Sequence, residues 1–212
     1  MHDPNRRKPK LSDPIKLFKD AEQFVRQKGF EKEIEWCDER PPFTAVTGNI
    51  FLSEYAWVIL NSGMRNKIIS TKWQQISEAL FFFNLQQIRI ANQKTMMESV
   101  LRIFGNRKKT EAILTVSRKI ILEGWLTIKE QIEKDPLNTL SSLPFIGPIT
   151  KYHLARNLGF DYIKPDRHLT RLASQYNMTP FELCDLIHEK TGRKLGTIDV
   201  ILWRFCEQEG IA

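Results

Sequence analysis

Cysteine is scarce in this 212-residue chain: there are three, Cys37, Cys184 and Cys206, and no C-x-x-C pair. An odd, scattered set argues against a disulfide framework and against a cysteine-built zinc or iron–sulfur site. It fits a reducing compartment, so an intracellular location is expected, cytoplasm and nucleoid or nucleus. No histidine or cysteine cluster has metal-ligand spacing, and no metal site is expected. Long apolar runs are also missing. None approaches the roughly 18 residues a membrane span needs, which excludes a helical membrane protein. The start of the chain, Met1 to Lys10, is basic and proline-containing with no apolar core behind it, so no secretory signal is expected there. Internal repeats and low-complexity segments are absent, and β-like alternation is confined to Pro42–Phe51.

What is present is a globular composition. The chain is 42% hydrophobic and 27% charged, too apolar for a disordered chain and long enough for one large domain or two small interlocked ones. A formal charge of +7 makes a polyanion a plausible partner, although charge alone does not decide it. Residues 1–11, with Arg6, Arg7, Lys8 and Lys10, read as a flexible basic arm, either solvated or touching phosphates.

Helix signals dominate. Asp13-Pro14 opens a segment with Leu17, Phe18, Ala21, Phe24 and Val25 on one side and Gly29 at its end. Ser53 and Ser70 read as caps of two further helices, the first carrying Tyr55, Val58 and Ile59, the second Trp73, Ile76 and Leu80. Others are predicted over Thr95–Phe104 and Lys109–Glu123. Thr179-Pro180-Phe181-Glu182 is a capping box, and Thr197 reads as the cap of a last helix running through Trp203 to Gln208. The expected fold is all-α.

The most specific stretch is Leu143-Pro144-Phe145-Ile146-Gly147-Pro148-Ile149-Thr150. Pro144 and Gly147 punctuate a tight hairpin, and a helix ended by Gly159 follows. Asp135-Pro136 marks a short helix before it, so the unit is helix, hairpin, helix. Amides at the start of the second helix have no intrahelical partners and can face a phosphate; the alternative is a corner that only packs. After Gly159 come Phe160-Asp161-Tyr162-Ile163-Lys164-Pro165-Asp166-Arg167-His168-Leu169, with Asp166 following Gly147 by 19 positions.

In this hairpin and the aspartate loop behind it, the chain resembles the helix-hairpin-helix DNA glycosylase superfamily, the group of endonuclease III, adenine glycosylase and alkylpurine glycosylase. The resemblance covers roughly residues 45–208, strongest from hairpin to Asp166. It implies two helical subdomains with a cleft between them: residues 12–60 and 160–212 in one, 61–159, ending in the helix-hairpin-helix, in the other. The implied activity is base-excision repair, cleavage of the N-glycosidic bond of a flipped-out base in double-stranded DNA that carries a damaged or mismatched base. The protein is expected to act as a monomer.

That cleavage passes through an oxocarbenium-like state and needs negative charge beside C1′. The resemblance assigns this role to Asp166, which can equally cap the following helix; the two roles are compatible. Family members that also cut the strand carry a nucleophilic lysine where this chain has Ile149, so a monofunctional enzyme is implied. Lys151 lies about 200° around the helix from Ile149, and Lys164 is the better alternative nucleophile for a bifunctional glycosylase/lyase. A noncatalytic DNA-binding protein is the third reading.

Phe145 stands where the family has its first hairpin glycine, so ordinary negative φ is expected there. Phe145, Gly147, Ile149, Thr150, Lys151 and Arg167 are candidate DNA contacts. Met64 or Arg65, in the Asn61–Asn66 loop, could wedge into the base stack, or that loop could simply follow a helix capped by Gly63. Tyr55, Tyr152 and His153 are candidates for the base pocket, Trp57 reads more simply as core, and His168 as a partner holding the aspartate loop. Arg107-Lys108-Lys109 faces either DNA or solvent. The family's four-cysteine iron–sulfur loop is absent; the resemblance allows at most a monovalent cation on hairpin backbone carbonyls.

Overall fold

A computed structural model describes residues 13–210. The predicted basic arm, residues 1–11, lies outside the described residues. The fold is all-α, with thirteen α-helices and no strand among the described residues. In chain order these are α1 (Pro14–Gln27), α2 (Glu31–Asp38), α3 (Gly48–Asn61), α4 (Asn66–Ala79), α5 (Leu85–Ile90), α6 (Gln93–Ile103) and α7 (Arg107–Glu123). There follow α8 (Trp125–Lys134), α9 (Pro136–Ser141), α10 (Thr150–Asn157), α11 (Arg167–Ser174), α12 (Pro180–Thr191) and α13 (Leu195–Gln208). No helix is long and apolar enough to cross a membrane among the described residues.

The chain divides into two compact units. The described residues up to Arg40 and those from Asp161 on form one, and Pro41–Phe160 forms the other. Residues 41–60, grouped with the terminal segments in the sequence reading, belong instead to the middle unit. The reason is α3, which is apolar over most of its surface. Phe51, Leu52, Tyr55, Ala56, Val58, Ile59 and Leu60 are all buried, while the side with Ile50, Ser53, Glu54, Trp57 and Asn61 is exposed or half-buried, so α3 must be covered over most of its surface. Helices α4, α7 and α10 cover it.

The unit formed by the two ends of the chain is built the same way around α13. Ile198, Ile201, Leu202 and Cys206 are fully buried, packed by α1, α2, α11 and α12. Ion pairs close its rim: Arg193 bridges Glu22 and Asp38, and Arg204 joins Glu33 and Glu207.

Three helices start upstream of the caps read from the sequence, and in α3 a better cap lies there. Thr47, whose hydroxyl accepts from the Ile50 amide, starts α3, so Ser53 falls inside it. The β-like stretch is thereby absorbed into a 3-10 turn and the first turn of α3. Ser70 is likewise inside α4. Thr197 is buried inside α13, where its hydroxyl donates to Asp38 (2.6 Å) instead of capping. The capping box at α12 forms with both of its bonds, Glu182 N–H to Thr179 Oγ1 and Thr179 N–H to Glu182 Oε2. Phe81, Phe82 and Phe83 take φ of 52°, 51° and 60° between α4 and α5. Left-handed backbone costs about 1–2 kcal/mol per residue without glycine. Part of this is offset where Phe83 buries and stacks on Trp73, which in turn meets Trp57 edge-on.

Gly159 ends the segment after α10 at φ 94°, and a Cβ there would lie 2.3 Å from the Pro41 carbonyl oxygen. Gly29, after α1, has φ 84° and nothing within 4 Å. Gly29→Ala should therefore cost only the left-handed penalty, about 1 kcal/mol. Gly159→Ala adds a backbone collision and should lose several times as much; urea unfolding of the two variants side by side measures the difference.

Candidate functional site

The connection from α9 to α10 is set by short-range chemistry. Asp135 caps α9, accepting from the Asn138 amide, and Pro136 sits in its first turn. Leu143 and Ile146 are buried and anchor the turn between them, with Ile146 N–H donating to Leu143 O (3.1 Å). Thr150 closes it: its hydroxyl oxygen accepts from Gly147 N–H at 2.7 Å. The Gly147 amide is thus used within the turn and does not face outward. The amides of Ile149 and Thr150, at the start of α10, have no hydrogen-bond partner among the described residues. Ile149 is exposed.

Phe145 overturns an expectation. Its φ is +62°, in the left-handed region, and its side chain is 45% exposed. The turn imposes on phenylalanine the backbone that glycine would adopt freely. Part of the restraint comes from Tyr55. Its hydroxyl donates to Pro144 O at 2.8 Å, immediately before Phe145. Tyr55 is fully buried, and burial pushes its phenol well above the ordinary value. It is therefore not a lining residue for a base, contrary to expectation; it anchors the turn from beneath. Tyr152 and His153 are half-buried on α10, and the Lys151 ammonium lies 5.4 Å from the centre of the Tyr152 ring. Asn157, buried at the end of α10, donates to Glu54 of α3 (2.9 Å).

The loop after α3 carries Met64 and Arg65, both exposed. Lys109, grouped above with the solvent- or DNA-facing cluster, is only 7% exposed. Its ammonium donates to Ser62 O (2.6 Å) and Leu60 O (3.3 Å), so it satisfies carbonyls at the C-terminus of α3, where a cation is favoured. Desolvation lowers its pKa. Arg107 and Lys108 stay exposed.

In the other unit lies the aspartate loop. Asp166 is the N-cap of α11: Oδ1 accepts from the His168 (2.9 Å) and Leu169 (3.3 Å) amides. Oδ2 lies 3.4 Å from Lys164 Nζ, and the two side chains are 14% and 25% exposed. The cap and the ion pair coexist, because a carboxylate has two oxygens. Burial and the nearby Asp166 charge push the Cys206 thiol up to about 11. His168 contacts Asp166 through its backbone, not its ring; the ring Nδ1 is buried without a hydrogen-bond partner among the described residues. Arg167 is exposed beside it.

Asp199 is the residue the sequence reading passed over. It is 2% exposed, and its Oδ2 accepts from the Lys164 amide at 2.8 Å. The available signal was a lone carboxylate inside the apolar run Ile198–Leu202.

Among the described residues there is no cluster of histidine, cysteine or carboxylate side chains able to hold a metal ion. Leu143 O, Pro144 O and Gly147 O each accept a hydrogen bond, from Ile146 N–H, Tyr55 Oη and Lys151 N–H. The chain matches no protein-family model, no curated protein and no solved structure.

Two tests address these anchors. Tyr55→Phe leaves the ring packed and removes one bond, so it should cost about 1 kcal/mol in urea unfolding. Lys109 gives a pH signature. Its folded pKa lies below the ordinary 10.5, so unfolding takes up a proton in the interval between the two values and stability rises with pH there. Lys109→Met should be less stable and should lose that alkaline slope, as read from unfolding midpoints at stepped pH.

Proposed function

We propose that the chain is a monofunctional DNA N-glycosylase of base-excision repair. It acts inside the cell, as a monomer, on a damaged or mismatched base flipped out of double-stranded DNA. The observation that supports this most is the backbone at Phe145. A bulky residue held at φ +62° is costly unless the surrounding turn over-determines it. That is the conformation the glycine of a helix-hairpin-helix turn supplies in the family the sequence resembles. The open amides of Ile149 and Thr150, with Lys151 beside them, suit a phosphate.

The reaction is hydrolysis. Water forms a bond to C1′, the C1′–N bond breaks with its electron pair leaving on the base, and the water's proton passes to base or solvent. Positive charge builds on the sugar as the bond stretches, and a fixed carboxylate stabilises it. Asp166 suits this because α11 holds Oδ1 while Oδ2 stands beside the Lys164 ammonium. Flipping the nucleotide costs a few kcal/mol, least for a mispaired base, and Met64 or Arg65 is the exposed side chain available to fill the gap.

A second reading rests on one distance. Lys164 Nζ is 3.4 Å from Asp166 Oδ2, close enough for the carboxylate to take a proton from the amine as it attacks C1′. That would make the enzyme a glycosylase/lyase with a Schiff-base intermediate. The Lys151 ammonium lies over the Tyr152 ring rather than beside a carboxylate and is the weaker nucleophile candidate.

Duplexes carrying alkylated, oxidised, deaminated or mismatched bases test the proposal directly. One class should be excised, leaving an intact strand until alkali is added. Asparagine caps helices as well as aspartate does, so Asp166→Asn should keep its unfolding midpoint while excision falls by roughly 10²-fold or more. No release from any duplex, or an unchanged rate in Asp166→Asn, defeats the enzyme reading. Salt-sensitive binding without products, with a log–log slope of about −4, would instead indicate a noncatalytic DNA-binding protein. Borohydride should trap no adduct; an adduct that disappears in Lys164→Met would establish the lyase.

A further inference from the structure

The segment 161–166 joins the end of the α10 region to α11 without regular secondary structure. A stretch of this kind keeps a fixed path only where side chains or packing hold it. Ile163 supplies packing, at 2% exposure. The polar ties come from the first turns of α13. Asp161 Oδ1 accepts from the Gly196 amide at 3.0 Å, and Asp199 Oδ2 accepts from the Lys164 amide at 2.8 Å. The two tie points on α13 are Gly196 and Asp199, one helical turn apart. They clasp the segment near its start and two residues before Asp166.

The second tie is the unusual one. Asp199 lies among Ile198, Ile201 and Leu202, all fully buried, and a carboxylate in such surroundings is costly unless hydrogen-bonded. Its charge also reaches the neighbouring Cys184 thiol, which burial first, and then Asp199 and Asp185, push well above the ordinary value. The Lys164 carbonyl, on the same residue, accepts from the Asp166 amide at 2.7 Å. A backbone chain therefore runs from Asp199 through Lys164 to Asp166, and the Lys164 side chain returns to Asp166 Oδ2.

We propose that Asp199 is a positioning residue of the Asp166 site: by holding the Lys164 backbone it sets where both the Lys164 amine and the Asp166 carboxylate stand. This rests on the reading of Asp166 as the catalytic carboxylate. Asp199 acts through Lys164 and touches no reacting atom. Its contribution belongs to the rate of bond cleavage and not to DNA affinity, because phosphate contacts on other residues carry binding.

The test compares Asp199→Asn, which keeps an acceptor oxygen of the same reach, with Asp199→Ala, which removes it. Three readouts are taken: single-turnover excision on the preferred lesion duplex, the dissociation constant for that duplex, and hydrogen exchange of the Lys164 and His168 amides. Asp199→Ala should slow excision by about 10- to 100-fold, as expected for a displaced reacting group, with the dissociation constant unchanged. The Lys164 amide should lose protection. Asp199→Asn should restore both the rate and the protection.

The inference is overturned if Asp199→Ala excises at the wild-type rate, if Asp199→Asn is as slow as Asp199→Ala, or if the Lys164 amide stays protected in Asp199→Ala. It is equally overturned if affinity falls in step with rate. Should Asp199→Ala not fold, Asp199→Asn decides alone: wild-type rate and protection support the tether, and loss of either rejects it. A wild-type protein that releases no base defeats the reading of Asp166 itself. In that case a loss of Lys164 protection in Asp199→Ala leaves Asp199 as a purely structural tie and removes its role at a catalytic site.

Discussion

Two helices that are buried over most of their surface impose the rest of this structure. Most of α3 and the first half of α13 are buried, so each must be surrounded, and the surrounding helices define the two units. The same burial makes every polar group on these helices expensive unless it finds a partner. On α3 the group is the Tyr55 hydroxyl, and its partner is Pro144 O in the turn before α10. On α13 it is the Asp199 carboxylate, and its partner is the Lys164 amide before Asp166. In each unit, therefore, a polar group of the central helix ties down a candidate-site loop.

This arrangement explains how irregular segments carry defined geometry. The turn holding Phe145 is restrained by Tyr55 at one side and by the Thr150 hydroxyl on Gly147 at the other. Those two bonds, with buried Leu143 and Ile146, support a backbone angle that phenylalanine would not adopt alone. Asp166 is held more simply, by the amides it caps, and that leaves its second oxygen beside Lys164. Rigid helices thus present a small number of side chains from loops, which is where binding and chemistry are ordinarily concentrated.

Local signals in the chain were legible where the physics is local. The capping box at Thr179 and Glu182, proline in the first turn of α1, and Asp166 ahead of α11 all act within a few residues, and each could be read directly. The apolar periodicity pointed to an all-α fold for the same reason. Ser53 misled because a better cap, Thr47, lies upstream, and Ser70 and Thr197 because α4 and α13 start earlier, after Arg65 and Lys194, with no side-chain cap at all. Lys109 misled in another way. It sits in a basic run, yet its stem is buried and its ammonium ends on carbonyls 47 and 49 positions earlier in the chain.

By itself, then, the sequence determined the helices, the cysteine-poor and basic character, and the hairpin-to-aspartate motif with its spacing, since all of these depend on composition or on neighbours within a few turns. Tertiary structure alone decided which residues stand over those loops and which lie beneath them. It put Tyr55 under the turn instead of in a pocket, gave Phe145 a glycine-like backbone, and joined Asp199 to Lys164 across 35 positions. These outcomes depend on where a buried polar group finds its hydrogen-bond partner, and that partner is chosen by packing between distant segments, which no local pattern records.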